Sequence, residues 1–208
     1  MRKVITASIS HINGVTTRNY AAPEEAVSTL RDLIARVFVR PDVQACATHE
    51  NIVVVLVPET RKLTALPEFA SLKDKRTGDG RAWDDTRGVG GVANNGEVAV
   101  GVPAENLIGG ATDRYGARYS VAIHEMAHAI FSHCLSPSTR ARVHALFAQR
   151  DSFVTAYAAL NVNEYFAEAT AAFFDKAGQG SRDRLQRTDP AMFALMTEIY
   201  EQPARARK

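Results

Sequence analysis

The chain has 208 residues, 46% of them apolar and 23% charged, with a formal net charge of +2. That is ordinary globular usage, with room for one domain over residues 1–208 that holds a real core; two domains would be cramped. The near-neutral balance excludes the basic stripe of a nucleic-acid binder, and the one basic cluster, Arg205, Arg207 and Lys208, reads as a solvated end.

No run approaches the roughly 18 apolar residues of a membrane span. In the opening MRKVITASIS, and at the histidine that follows it, Ser8, Ser10 and His11 break a weak apolar stretch too early for a signal-peptide core. The chain therefore reads as soluble, either cytoplasmic or secreted by a route that uses no visible signal peptide. Two cysteines, Cys46 and Cys134, are too few for a disulfide scaffold and read as free, buried thiols rather than as a bridge.

From 23 to 37 the apolar residues Ala26, Val27, Leu30, Leu33, Ile34 and Val37 recur at helical spacing, with Pro23 suited to a first turn and Glu24 and Glu25 beside the positive end. Residues 51–57 form a β-branched apolar run stopped by Pro58, which predicts a strand buried on both faces. Residues 73–96 are rich in Gly, Asp, Arg and Lys and read as a long loop with a hairpin turn at Asn95-Gly96. A second strand is expected over 97–102. Helical patterns follow near 116–133, 138–150, 163–176 and 190–202, the last opened by the Asp189-Pro190 start signal. The order predicts an α+β fold: a small N-terminal mixed sheet, then a mostly helical half.

The chemistry concentrates in His124-Glu125-Met126-Ala127-His128. Positions four apart on a helix differ by only about 40°, so both imidazoles project from one face and reach a single zinc at about 2.0–2.1 Å. Glu125, about 100° round from His124, is placed to reach a water on the metal rather than to bind it. The flanking Val121, Ala122, Ile123, Ala127, Ala129, Ile130 and Phe131 bury this helix, and buried ionisable groups need partners. Two histidines leave the ligand set short of the usual three. Glu164 and Glu168, also four apart on an apolar segment, repel unless paired; one on the metal and one hydrogen-bonded to a ligand histidine resolves the conflict.

Other candidates fit less well. His133, nine positions after His124, lies about 180° round and points away from a metal there; Cys134, ten positions on, is read the same way, and His133 suits a helix C-terminus. His49 and His144 have no partner pattern, and Trp83 reads as packing.

The pair of segments His124–His128 and Asn163-Glu164-Tyr165-Phe166-Ala167-Glu168 resembles the glutamate-zincins. The likeness is strongest to the catalytic domain of anthrax lethal factor and to the Pro-Pro endopeptidases and Mlc titration factor A peptidases. In that group a tyrosine stands seven residues before the ligand glutamate, as Tyr157 stands before Glu164 here. The likeness is specific over about 115–175, weaker over 77–110 and extends to the Asp189-Pro190 ending.

The resemblance implies a zincin-like fold and a zinc endopeptidase with one Zn2+ held by His124, His128 and Glu164. It implies Glu125 as general base, Tyr157 as oxyanion donor and Glu168 bonded behind a ligand. A protein or peptide substrate would lie extended along an edge strand, either 97–102 or the Gly-rich 88–93. Relatives that are toxins suggest a toxin or effector-type protease. Relatives that act by binding other proteins suggest the alternative of a zinc-containing regulatory protein with little peptidase activity. A third reading is a metal-free fold with a dead motif.

Overall fold

The computed structural model describes residues 6–116 and 118–201, so the 205–208 cluster lies outside the described residues. Five strands form one mixed sheet in the order β1-β2-β3-β5-β4. β1 (Ser8–Ile12) and β2 (Val15–Asn19) make an antiparallel hairpin. β2 runs parallel to β3 (Ile52–Val57), and β3 parallel to β5 (Glu97–Pro103). β4 (Val89–Asn94) is antiparallel to β5 and forms one edge, β1 the other. The turn between them is the expected Asn95-Gly96, both residues at positive φ.

Every residue of β3 is buried, as its β-branched run requires. Alternation sends Val54 and Leu56 into a large core with Leu30, Ile34, Ile123, Met126 and Phe166. Val53, Val55 and Val57 face a smaller cluster with Leu63, Leu66 and Phe69. Two 3-10 turns, Leu63–Ala65 and Pro67–Leu72, supply Leu63 and Phe69, and Leu66 joins them; together they close that face of the sheet.

The parallel step from β2 to β3 is made by α1 (Glu24–Val37) and α2 (Pro41–His49). After the sheet come α3 (Ala104–Ile108), α4 (Val121–Ala129), α5 (Pro137–Ala148), α6 (Val162–Phe173), α7 (Ser181–Thr188) and α8 (Pro190–Tyr200). The Asp189 carboxylate accepts from Met192 N–H at 3.0 Å, the cap its sequence predicts. The fold is thus the expected α+β arrangement.

Several expectations are corrected. The helix anticipated over 116–133 begins only at Val121, capped by Ser120, and ends in a π-helical turn, Ile130–Cys134. The 73–96 stretch is a loop only to residue 88, because β4 follows. β5 lies inside the sheet, so 97–102 is not an edge, whereas β4, which holds most of the alternative 88–93 segment, is one of the two edges. Cys46 and Cys134 are not free thiols: they form a disulfide that ties α2 to the π turn. His133, in that turn, lies 3.5 Å from Glu50 as well as at a helix end. Among the described residues no helix is long and apolar enough to cross a membrane.

Candidate metal centre

Three elements converge on one end of the cleft. α4 is the buried helix that carries His124, Glu125 and His128. α6 packs against it, its first turn held by Asn161, whose side chain accepts from the N–H groups of Asn163 and Glu164 at 2.9 and 3.0 Å. That cap fixes where Glu164 points. β4 crosses α4 so closely that glycine is required. A Cβ on Gly88 would meet Val121 Cγ1 at 2.5 Å and Glu125 Oε1 at 2.7 Å; on Gly90 it would meet His128 Cβ at 2.5 Å and the Glu125 carbonyl at 2.6 Å.

His124, His128 and Glu164 present three ligand atoms to one point. The two Nε2 atoms are 3.1 Å apart, and Glu164 Oε2 lies 3.0 Å from one and 3.5 Å from the other. A tetrahedral ion with bonds of about 2.0–2.2 Å needs ligand atoms about 3.3–3.5 Å apart. Glu164 Oε2 is buried, yet no hydrogen is aimed at it in spite of those short distances. Two ring nitrogens and an orphaned carboxylate oxygen facing one another fit a divalent cation between them. Among the described residues the cluster has three members, and all three line the cleft.

Behind His124 sits Glu168, 1% exposed. Its Oε1 lies 2.9 Å from His124 Nδ1 and accepts from the Tyr119 hydroxyl at 2.6 Å; its Oε2 accepts from Thr155 at 2.6 Å. Glu168 thus stands against the ring edge of His124. Tyr119 and Thr155 have no counterpart in the sequence reading, because neither stands at helical spacing from a ligand.

The protein's own charges set the ionisation. Burial disfavours charge on His124, but the adjoining Glu164 and Glu168 carboxylates override it and raise its pKa to about 10. Burial also opposes the Glu164 carboxylate, which the two histidines nonetheless hold at about 2. Glu125 is pushed upward by desolvation, against the pull of both histidines. Burial lifts the Tyr157 phenol to about 12, so it stays a donor at neutral pH; its ring lies 5.9 Å from that of His124.

The cleft in front holds about 910 Å³. Of the three large apolar side chains exposed among the described residues, Tyr115 and Leu160 both line it. Such exposure is typical of a binding surface. Trp83 lines it too, while also packing on the smaller core. Arg81, paired with Asp79 at 2.8 Å in the turn closed by the Arg76–Ala82 bridge, lines it as well. His49 and His144 stand elsewhere, one 2.9 Å from Glu50 and the other against Phe131.

Residues 4–199 match the family model described as anthrax toxin lethal factor, N- and C-terminal domain. No functionally curated protein matches the sequence. Among solved structures, the Pro-Pro endopeptidase of Paenibacillus alvei superposes with a TM-score of 0.66 at 19% identity, over 89% of this chain and 97% of that one. At that identity the likeness speaks for a shared fold.

Proposed function

Since the chain belongs to the anthrax lethal factor family, we propose that it is a zinc-dependent endopeptidase with one Zn2+ per chain. The observation that carries this reading is the triangle of His124, His128 and Glu164 beside an open cleft, with Glu125 next to it on the same helix. His124, His128 and Glu164 would hold the ion, which when bound supplies Lewis acidity and lowers the pKa of water from 15.7 to about 7.

The chain's own groups do the rest. A protein or peptide substrate lies extended along β4, whose free edge offers main-chain hydrogen bonds. Glu125 takes the proton of the attacking water and delivers it to the leaving amine. The Tyr157 hydroxyl donates to the oxygen of the scissile carbonyl as negative charge develops there. Glu168 holds the His124 ring in the orientation that presents Nε2 to the ion.

The Cys46–Cys134 bridge supports an exported protein over a cytosolic one, because such bonds persist in oxidising compartments. Together with the family it supports a toxin or secreted effector role. The test is a diverse peptide library, incubated with wild type and with Glu125→Ala and analysed by mass spectrometry. Cuts made by wild type alone, with zinc retained in both proteins, are expected. Equal cutting by both would remove Glu125 as the base.

A further inference from the structure

We infer that Tyr119 and Thr155 are positioning residues of the metal centre: together they fix the Glu168 carboxylate and, through it, the ring and tautomer of His124. The inference rests on the zinc reading above and deepens it. A carboxylate only accepts, so Tyr119, 2.6 Å from Glu168 Oε1, must donate its single hydroxyl proton there. Its oxygen then turns a lone pair to His124 Nδ1, 2.9 Å away. His124 Nδ1 also lies 2.9 Å from Glu168 Oε1. The Nδ1 proton therefore faces two acceptors at once, which keeps it on that nitrogen and leaves Nε2 to the ion. Thr155 supplies the third donor, to Oε2.

Both residues are themselves held. The Tyr119 backbone N–H donates to the Gly116 carbonyl at 3.1 Å, and its own carbonyl accepts from Asn106 at 2.9 Å. Its ring stacks on Tyr115 at 5.7 Å between centroids. It stands one residue before Ser120, the cap of α4, so the loop that carries it is fixed to the helix that carries His124. The Thr155 hydroxyl accepts from the Ala158 N–H at 3.2 Å. That bond ties Glu168 to the 3-10 turn Tyr157–Ala159, which presents the proposed oxyanion donor. One hydroxyl thus serves both the ligand and Tyr157.

Removing an outer partner of a metal-bound histidine typically weakens the metal by 10–100-fold. Zinc affinity is read by competition with a chromophoric chelator on the full chain, alongside thermal unfolding without metal. Tyr119→Phe and Thr155→Val are each expected to weaken zinc about tenfold, while Thr155→Ser restores it. In a Glu168→Gln background, Tyr119→Phe is expected to add less than about twofold, since its acceptor is already changed. Affinity within twofold of wild type for Tyr119→Phe, or undiminished effects in the Glu168→Gln background, overturns the inference.

The nitrogen-15 and proton resonances of His124 Nδ1–H give a second readout that needs no metal. They are expected to move in Tyr119→Phe and to hold in Thr155→Ser; no movement in Tyr119→Phe refutes the positioning role. If wild type fails to bind zinc while these resonances still respond to Tyr119, the metal reading falls and the positioning stands.

Discussion

Gly90→Ala tests the contact that brings the substrate edge to the metal helix. The added methyl would begin 2.5 Å from His128 Cβ and 2.6 Å from the Glu125 carbonyl oxygen. Ordinary contact needs about 3.5 Å, so roughly 1 Å must be found. One neighbour is backbone and the other is the root of a metal-facing side chain, so neither yields cheaply, and β4 must lift from α4. Overpacking of this kind costs about 1–3 kcal/mol. In a chain of this size that lowers Tm by roughly 2–4 °C for each kcal/mol.

The functional loss should exceed the stability loss. A 1 Å displacement of a substrate-positioning element costs about 100-fold in rate, whereas the ligands sit on α4 and α6 and keep their places. The expected result is a modest drop in Tm, zinc affinity near wild type and kcat/KM down about 100-fold. Gly78→Ala is the control: it lines the same cleft, and a Cβ there meets nothing within 4 Å. If Gly90→Ala melts and turns over like wild type, β4 does not lie against α4 as described, and the edge-strand reading of substrate binding fails with it.

Tyr157→Phe should lower kcat by about 100–1,000-fold with zinc affinity unchanged, the size expected for one oxyanion donor; an effect on KM alone would reassign Tyr157 to binding. Burial and then Glu68, whose Oε1 accepts from it at 2.9 Å, push the Tyr20 phenol to about 12. Its protonated form is favoured in the folded chain, so its stabilising effect is complete below its ordinary pKa of 10 and is lost as pH rises toward 12. Tyr20→Phe should flatten the fall in stability between those two values, measured by denaturant titration, and an unchanged slope would exclude Tyr20. The Cys46–Cys134 bridge closes a separation of 88 residues, for which loop entropy sets an upper estimate of about 4.6 kcal/mol. The double serine variant should lose about 2–4 kcal/mol, and thiol titration of unfolded wild type should find no free cysteine.

How far the sequence carried this reading depends on whether each signal is local. The β-branched run of β3, the Asn95-Gly96 turn, the Asp189 cap and the apolar helix around His124 each declare themselves within one element, and each appears in the structure. Glu164 and Glu168 were legible as a pair because two carboxylates one turn apart on an apolar helix demand separate partners; the structure sets one beside the histidines and the other behind His124. β1 was illegible because its residues are largely exposed and show no buried face. β4 was hidden by the glycines that its close approach to α4 requires.

Tyr119, Thr155 and the disulfide share a different cause. Each acts across elements far apart in the chain, and no periodicity encodes such a meeting. Cys134 lies in the π turn beyond α4, where α2 brings Cys46 to it. The helix that carries both histidines is therefore held from two directions. On its metal side Glu168, Thr155 and Tyr119 fix His124; past its far end a covalent bond fixes the π turn to α2. If His124, His128 and Glu164 hold one ion, as proposed, they stay within bonding distance of it only while neither helix slides. The bridge and the buried carboxylate restrain α4 at opposite ends, which is why elements so distant from the sequence motif belong to the same site.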